Sequence, residues 1–290
     1  MCATLKKTSL LLLSLATMQW GRSQTNCQVF KDSCHIKACL LYQQAGNFGQ
    51  GTRQSQQYYD SAIRVCPDYA EAWSEISVPY LKRGDFYNWR KYLDKAVALK
   101  PYPYLGTRGW CRFKFLRDYE GALKDLRRFD TLSGFNPSYS GDGNYHLYNV
   151  MALCERELGN YRQALQYFTL GIDSMRTKQG DAWVGFSDFL HRAVTKMRIK
   201  DYTGALSDLD QQMKKYDNYA EIYYYQGLVF EAIHREKEAM TSLEKARTMA
   251  ASGHHLADIY CEMQDEVFVE DIDAAIERIK KSPVQTKKGK

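Results

Sequence analysis

The strongest constraint on this chain of 290 residues is that it repeats itself. "RDYEGALKDL", Arg117 to Leu126, returns as "KDYTGALSDL", Lys200 to Leu209, with seven of ten letters unchanged. Ala122, Leu123 and Leu126 are apolar at i, i+1 and i+4, as are Ala205, Leu206 and Leu209, which predicts a short amphipathic helix in each copy. Asp118 and Asp201 stand where a carboxylate caps the first turn by accepting a backbone N–H. One such helix cannot bury its own stripe, so it must lean on others.

Weaker copies extend the pattern. A leading residue followed four positions later by a large apolar one recurs as Ser55/Tyr59, Trp89/Leu93, Ala122/Leu126, Ala164/Phe168, Ala205/Leu209 and Ala239/Leu243. The leading residues lie 34, 33, 42, 41 and 34 positions apart, a period near 34 with two insertions. Such a period indicates an array of stacked units. The clearest copy, Ala70 to Pro101, carries Trp73, Tyr80, Gly84, Leu93, Ala96 and Pro101; the sixth, Ala220 to Ala251, carries Tyr223, Gly227, Phe230, Ala239, Leu243 and Ala246.

On these residues the chain resembles the tetratricopeptide repeat (TPR) family over about residues 34–251. The resemblance implies an all-α, right-handed helical-repeat solenoid of about six helix pairs, in which each unit buries its face against the next. Trp89 departs from it, standing where a small residue is usual, which predicts looser packing there. The third copy has one extra residue in its internal turn. Beyond the array, Leu256, Ile259, Tyr260 and Met263, and then Ile272, Ala275, Ile276 and Ile279, follow i, i+3, i+4, i+7. They predict two C-terminal capping helices. The expected organisation is a signal at 1–23, the array at 24–251, caps at 252–281 and a basic tail at 282–290.

"MCATLKK", "TSLLLLSLATM" and "QWGRSQ" form a basic start, an apolar stretch too short to span a bilayer, and a polar exit. This predicts export, to a periplasm or outside the cell. Seven cysteines remain after such a signal, four of them in a cluster at Cys27, Cys34, Cys39 and Cys66. Cys39 with Cys66, or Cys27 with Cys34, are the rival bridges, and the odd total leaves at least one thiol unpaired. Cys111 and Cys154 read as buried core. The net charge of +6 comes from the two ends of the chain, and no basic stripe crosses the body, so no nucleic-acid partner is expected. Membrane contact is expected only through the basic tail.

No phosphate-binding, zinc-protease or nucleophile-elbow motif is present, and neither an enzymatic activity nor a cofactor is expected. His254, Asp258 and Cys261 fall at i, i+4, i+7, but on a capping helix such residues simply face water, so no metal is expected. The resemblance implies that first helices line a concave groove for a protein or peptide partner. Carried over position by position, it points to Trp110, Phe113, Asn149, Arg156, Met197, Arg198 and Tyr224. The positions of the family's carboxylate clamp hold Glu71, Ser74, His146 and Glu221, which argues against a receptor for C-terminal tails. Two insertions, 132–144 and 173–186, add Phe135, Tyr139, Trp183 and Phe186, aromatics the repeat does not need. They define an alternative, a component of an exported glycan-binding or glycan-processing system.

Overall fold

A computed structural model describes residues 26–136 and 139–281; the expected signal at 1–23 and the tail at 282–290 lie outside them. Thirteen α-helices and no strand occur among the described residues. The chain divides into two compact units, Met1–Phe86 and Tyr87–Lys290.

The N-terminal unit holds α1 (Ser33–Ala45), α2 (Arg53–Val65) and α3 (Ala70–Lys82). The Asp32 carboxylate caps α1 by accepting from the His35 N–H at 2.9 Å, and the Thr52 hydroxyl caps α2. Ala38 and Cys39 of α1 pack with Ala62, Tyr69 and Ala72. The four clustered cysteines do bridge, but in neither expected pairing: Cys27 joins Cys39 and Cys34 joins Cys66. Cys34 and Cys39 are five residues apart, which turns them to different faces of α1. One faces the end of α2. The other meets a short turn, Cys27–Val29, that precedes the helix.

The second unit continues from Tyr87 through α4 (Phe86–Leu99), α5 (Pro101–Cys111), α6 (Tyr119–Leu132), α7 (Leu147–Glu157), α8 (Tyr161–Gln179), α9 (Asp188–Arg198), α10 (Tyr202–Lys215), α11 (Ala220–Ala232), α12 (Glu236–Ala251) and α13 (Val269–Lys280). Helices α5/α6, α7/α8, α9/α10 and α11/α12 are packed pairs. All twelve leading and following residues of the repeat pattern are buried. Trp89 is among them at 1% exposure, so the expected looseness is absent and the ring fills its space. A Cβ placed on Gly109 would lie 2.7 Å from Leu126 Cγ, and one on Gly227 would lie 2.7 Å from Leu243 Cγ. The first helix therefore meets the second at the same close point in the third and sixth pairs.

The turn inside each pair uses one device six times. The residue before the second helix's cap has a left-handed backbone: Gly51, Gly84, Arg117, Gly159, Lys200 and His234. In four of these turns the next amide reaches back five residues, as in Asn160 N to Glu155 O at 2.8 Å and Asp201 N to Lys196 O at 3.0 Å, a helix-terminating bond. In the third pair Asp118 N reaches back six, to Arg112 O, over a widened π-turn at Arg112–Leu116. The extra residue expected there is absorbed by that widening.

The doubled phrase also has a polar reason. Asp125 and Asp208, its ninth letter, are both buried. Asp125 takes a two-pronged bond from Arg108 at 2.6 and 2.7 Å, and Asp208 takes the same from Arg192 at 2.8 and 2.9 Å. The carboxylates that accept from Gly121 N and Gly204 N, each at 2.9 Å, are the predicted caps Asp118 and Asp201. Beyond α12 only one of the two expected capping helices forms. Ile272, Ala275, Ile276 and Ile279 are the buried stripe of α13, whereas residues 253–268 are not helical.

Candidate binding face

The stretch that replaces the missing helix lies across the row of first helices. It leaves α12 through Gly253, whose φ of 80° ends the helix. The His254 carbonyl then accepts from Ala220 N at the start of α11 at 2.8 Å. Buried Glu221 fixes both ends of the excursion with one oxygen, accepting from Leu256 N at 3.0 Å and Val267 N at 3.2 Å. Between these points Asp258 binds Lys114 Nζ at 2.6 Å, in the widened turn after α5, and the Glu262 carbonyl accepts from Arg117 at 2.7 Å. On the way back Asp265 takes Arg156 of α7 at 2.7 Å and His191 Nδ1 of α9 at 2.6 Å. We call residues 254–268 the strap. It touches the first helix, or the turn that ends it, in four successive pairs.

The chemistry explains why Leu256, Ile259, Tyr260 and Met263 do not form a helix. Carboxylates take the amides a helix would use: Asp258 binds Tyr260 N at 2.8 Å and Glu266 binds Met263 N at 3.0 Å. Ile259 is 88% exposed and Tyr260 61%, so this stretch buries little apolar surface in its middle. Leu256 and Val267, at the two ends, are buried.

Arg156 and Asp265 are both buried, whereas Lys114 is buried between two partly exposed carboxylates, Asp142 and Asp258. Burial alone would lower the Lys114 pKa; its bonds to Asp142 and Asp258 reverse this and raise it. Burial would raise Asp265, yet Arg156 and His191 hold it down at about 2. Burial pushes Glu221 upward, against the pull of the amides it accepts. The 140–146 turn supplies Asp142, which binds Lys114 at 2.8 Å and is itself held by Ser140 Oγ at 2.6 Å.

The seven expected groove residues fall into two groups. Trp110 is buried against Gly141 of the 140–146 turn, with Lys114 Nζ 5.5 Å from its ring. Phe113 is buried against Tyr145, Asn149 lies fully buried against Gly171 of α8, and Arg156 is spent on Asp265 and Glu157. None of these four faces an open groove. Met197, Arg198 and Tyr224 do: with Tyr202, Tyr225 and Leu228 they line an open cleft along α9 and α11, edged by Glu266 and Val267 of the strap. Tyr224 and Tyr225 meet edge to face at 5.1 Å. Burial and the nearby Asp271 carboxylate push the Tyr224 phenol upward.

The two insertions meet, with Tyr139 Oη donating to the Trp183 carbonyl at 2.9 Å. Tyr139 packs on Ile172, Met175, Val184 and Phe189, and Phe186 lies against Tyr219. Both are therefore packing residues, and only Phe135 (70% exposed) and Trp183 (60%) are presented to solvent. His254, Asp258 and Cys261 do not share a helical face: His254 turns to Ser252, and Asp258 is bound to Lys114. One cluster among the described residues has metal-ligand character, Asp32, Cys34, His35 and Cys66, but its two sulfurs are joined in a disulfide. Cys111 and Cys154 are buried as expected, and burial raises both thiol pKa values. The strap and Glu221 were missed by sequence reasoning. The clue available was the acidic run Glu262, Asp265 and Glu266 on a supposed apolar cap.

No protein-family model and no curated protein matches the chain. Solved structures do. The PilF protein of Pseudomonas aeruginosa aligns at a TM-score of 0.58 with 14% identity, over 84% of this chain and 99% of its own. PilW, a type IV pilus biogenesis factor, aligns at 0.55 with 15% identity, over 73% and 92%. YrrB, described as a TPR protein with an unusual peptide-binding site, aligns at 0.51 with 15% identity, over 67% and 92%. The chain has the tetratricopeptide-repeat fold.

Proposed function

We propose that the chain is an exported, non-enzymatic scaffold that binds an extended segment of a protein partner in the cleft of Met197, Arg198, Tyr202, Tyr224 and Leu228. One observation carries this reading. Of the residues the resemblance assigns to a partner, the three that remain accessible converge on that one cleft. Tyrosine offers contact area at small entropic cost, methionine adapts its shape to what it meets, and an arginine beside them suits a backbone carbonyl or a carboxylate. YrrB, with the same fold, is described as having a peptide-binding site. Export rests on the N-terminal sequence and is supported by the two disulfides, which persist in oxidising compartments. No helix among the described residues is long and apolar enough to cross a membrane.

The test uses residues 24–290 as bait on an envelope fraction, followed by affinity measurements on the partner it captures. Tyr224→Ala should weaken binding by about 2 kcal/mol or more, as a hot-spot truncation does, while Trp183→Ala leaves it unchanged. The reverse pattern would sink the cleft and move the site to the insertion edge, where a glycan ligand would then be tried.

A further inference from the structure

The strap has the character of a ligand. Its middle is non-helical, bent and acidic, is held by ion pairs to other elements, and turns its own large apolar residues, Ile259 and Tyr260, to water. Its bed presents three cations: Lys114 and Arg156 are largely buried, each also paired with one carboxylate outside the strap, Asp142 and Glu157, and Arg117 reaches the Glu262 carbonyl. The strap nearly fills that bed: a space of about 20 Å³, room for about one water, remains under it beside Lys114, Arg117, Asp258 and Glu262. The strap's returning end, Glu266 and Val267, forms an edge of the open cleft.

We propose that Lys114, Arg117 and Arg156 form a docking row for an acidic extended peptide of a partner, and that residues 257–266 are an internal copy of that peptide which the partner displaces. This rests on the scaffold reading above and gives the partner a chemistry: carboxylates spaced to reach Lys114 and Arg156, on a segment without secondary structure. Leu256 and Val267, pinned by Glu221, act as hinges, so displacement opens the middle without unravelling α11 or α13. A docked strap lowers the apparent affinity of any competitor by the fraction of molecules in which it is open. Weakening the strap therefore strengthens the competitor.

The probe is a synthetic peptide with the sequence of residues 254–268, carrying Cys261→Ser, titrated against the full chain. It should bind the unaltered chain weakly. It should bind an Asp258→Asn chain about tenfold more tightly or better, because that strap lacks its hold on Lys114. A peptide carrying Asp258→Asn, Glu262→Gln and Asp265→Asn should bind neither chain, and a Lys114→Met chain should lose the acidic peptide although its strap is loosened too. Equal affinity for both hosts, or equal binding of the neutral peptide, overturns the proposal. If Asp258→Asn proves unfolded by circular dichroism, hydrogen exchange on the unaltered chain decides: saturating acidic peptide must speed exchange at 257–266, and no change there overturns it. Tyr224→Ala should leave this peptide's binding intact. A natural partner that needs Tyr224 yet never competes with the peptide would sink this proposal and leave the scaffold reading standing.

Discussion

The first helices of the third and fourth pairs and those of the fifth and sixth occupy equivalent places in the repeat, yet they present opposite surfaces. On α5 and α7 the outward positions are covered: Trp110 lies under the 140–146 turn, and Arg156 is neutralised by Asp265. Towards the ends of α9 and α11 the corresponding face is an open tyrosine-lined cleft. Both regions share one scaffold, with buried leading residues and the same left-handed turn before each second helix. What differs is the material added outside the repeat, an insertion on one side and a C-terminal return on the other. A repeat supplies identical backbone places, and segments without periodicity decide which of them a partner can reach.

The largest effect that distinguishes the regions is expected at Asp265. Asp265→Ala leaves Arg156 buried without its main counter-charge, and losing one partner of a buried pair costs about 3–5 kcal/mol. Denaturant unfolding should show a loss of that order. A loss under about 1 kcal/mol would mean that the strap adds little to stability and that covered and open faces differ only in access.

Acid should separate the regions next. The Asp265 pKa is depressed from 3.8 to about 2, with Arg156, His191, Tyr145 and Tyr225 as the titratable groups around it. A depressed carboxylate gives stability that is present above the unfolded value and is lost as pH falls through the folded one. The Asp265 contribution, about 2 kcal/mol, should hold down to about pH 4 and vanish towards pH 2. Hydrogen exchange at the strap should accelerate over that interval before exchange in α10 does. Simultaneous loss in both would show that the strap does not open on its own.

The smallest effect is expected at the insertion edge. Trp183 is 60% exposed, so Trp183→Ala should change unfolding free energy by no more than about 0.5 kcal/mol. A larger change would show that this ring seals the joint and would make the edge part of the covered region.

How much of this was legible in the sequence depended on whether the determinant was local. The period, the pair phase, the capping aspartates and the extra residue in the third turn could all be read, because helix stripes and turn chemistry involve neighbours within a few positions. The cysteine cluster was recognised and its pairing was not. Spacing lists the candidates, but the rotation of α1 chooses among them. The cap stripe at 256–263 had the right period and no helix, because Lys114 and Glu221, distant in sequence, compete for its carboxylates and amides. Which of the expected groove residues stay open was set by segments outside the first helices: the 140–146 turn over Trp110 and Phe113, α8 over Asn149, and strap residue Asp265, 109 positions away, on Arg156.

The sequence by itself determined the repeat: a period near 34 residues, a small residue at every helix crossing but that of Trp89, and a turn before every second helix. Those properties follow from helix geometry and short-range sterics, which any stretch of chain carries with it. Only the tertiary structure decided that a buried glutamate, a lysine and an arginine on separate helices would draw an acidic segment across the first-helix face. Such pairs gain strength only when folding removes the water between them, and that proximity is not written in the order of the residues.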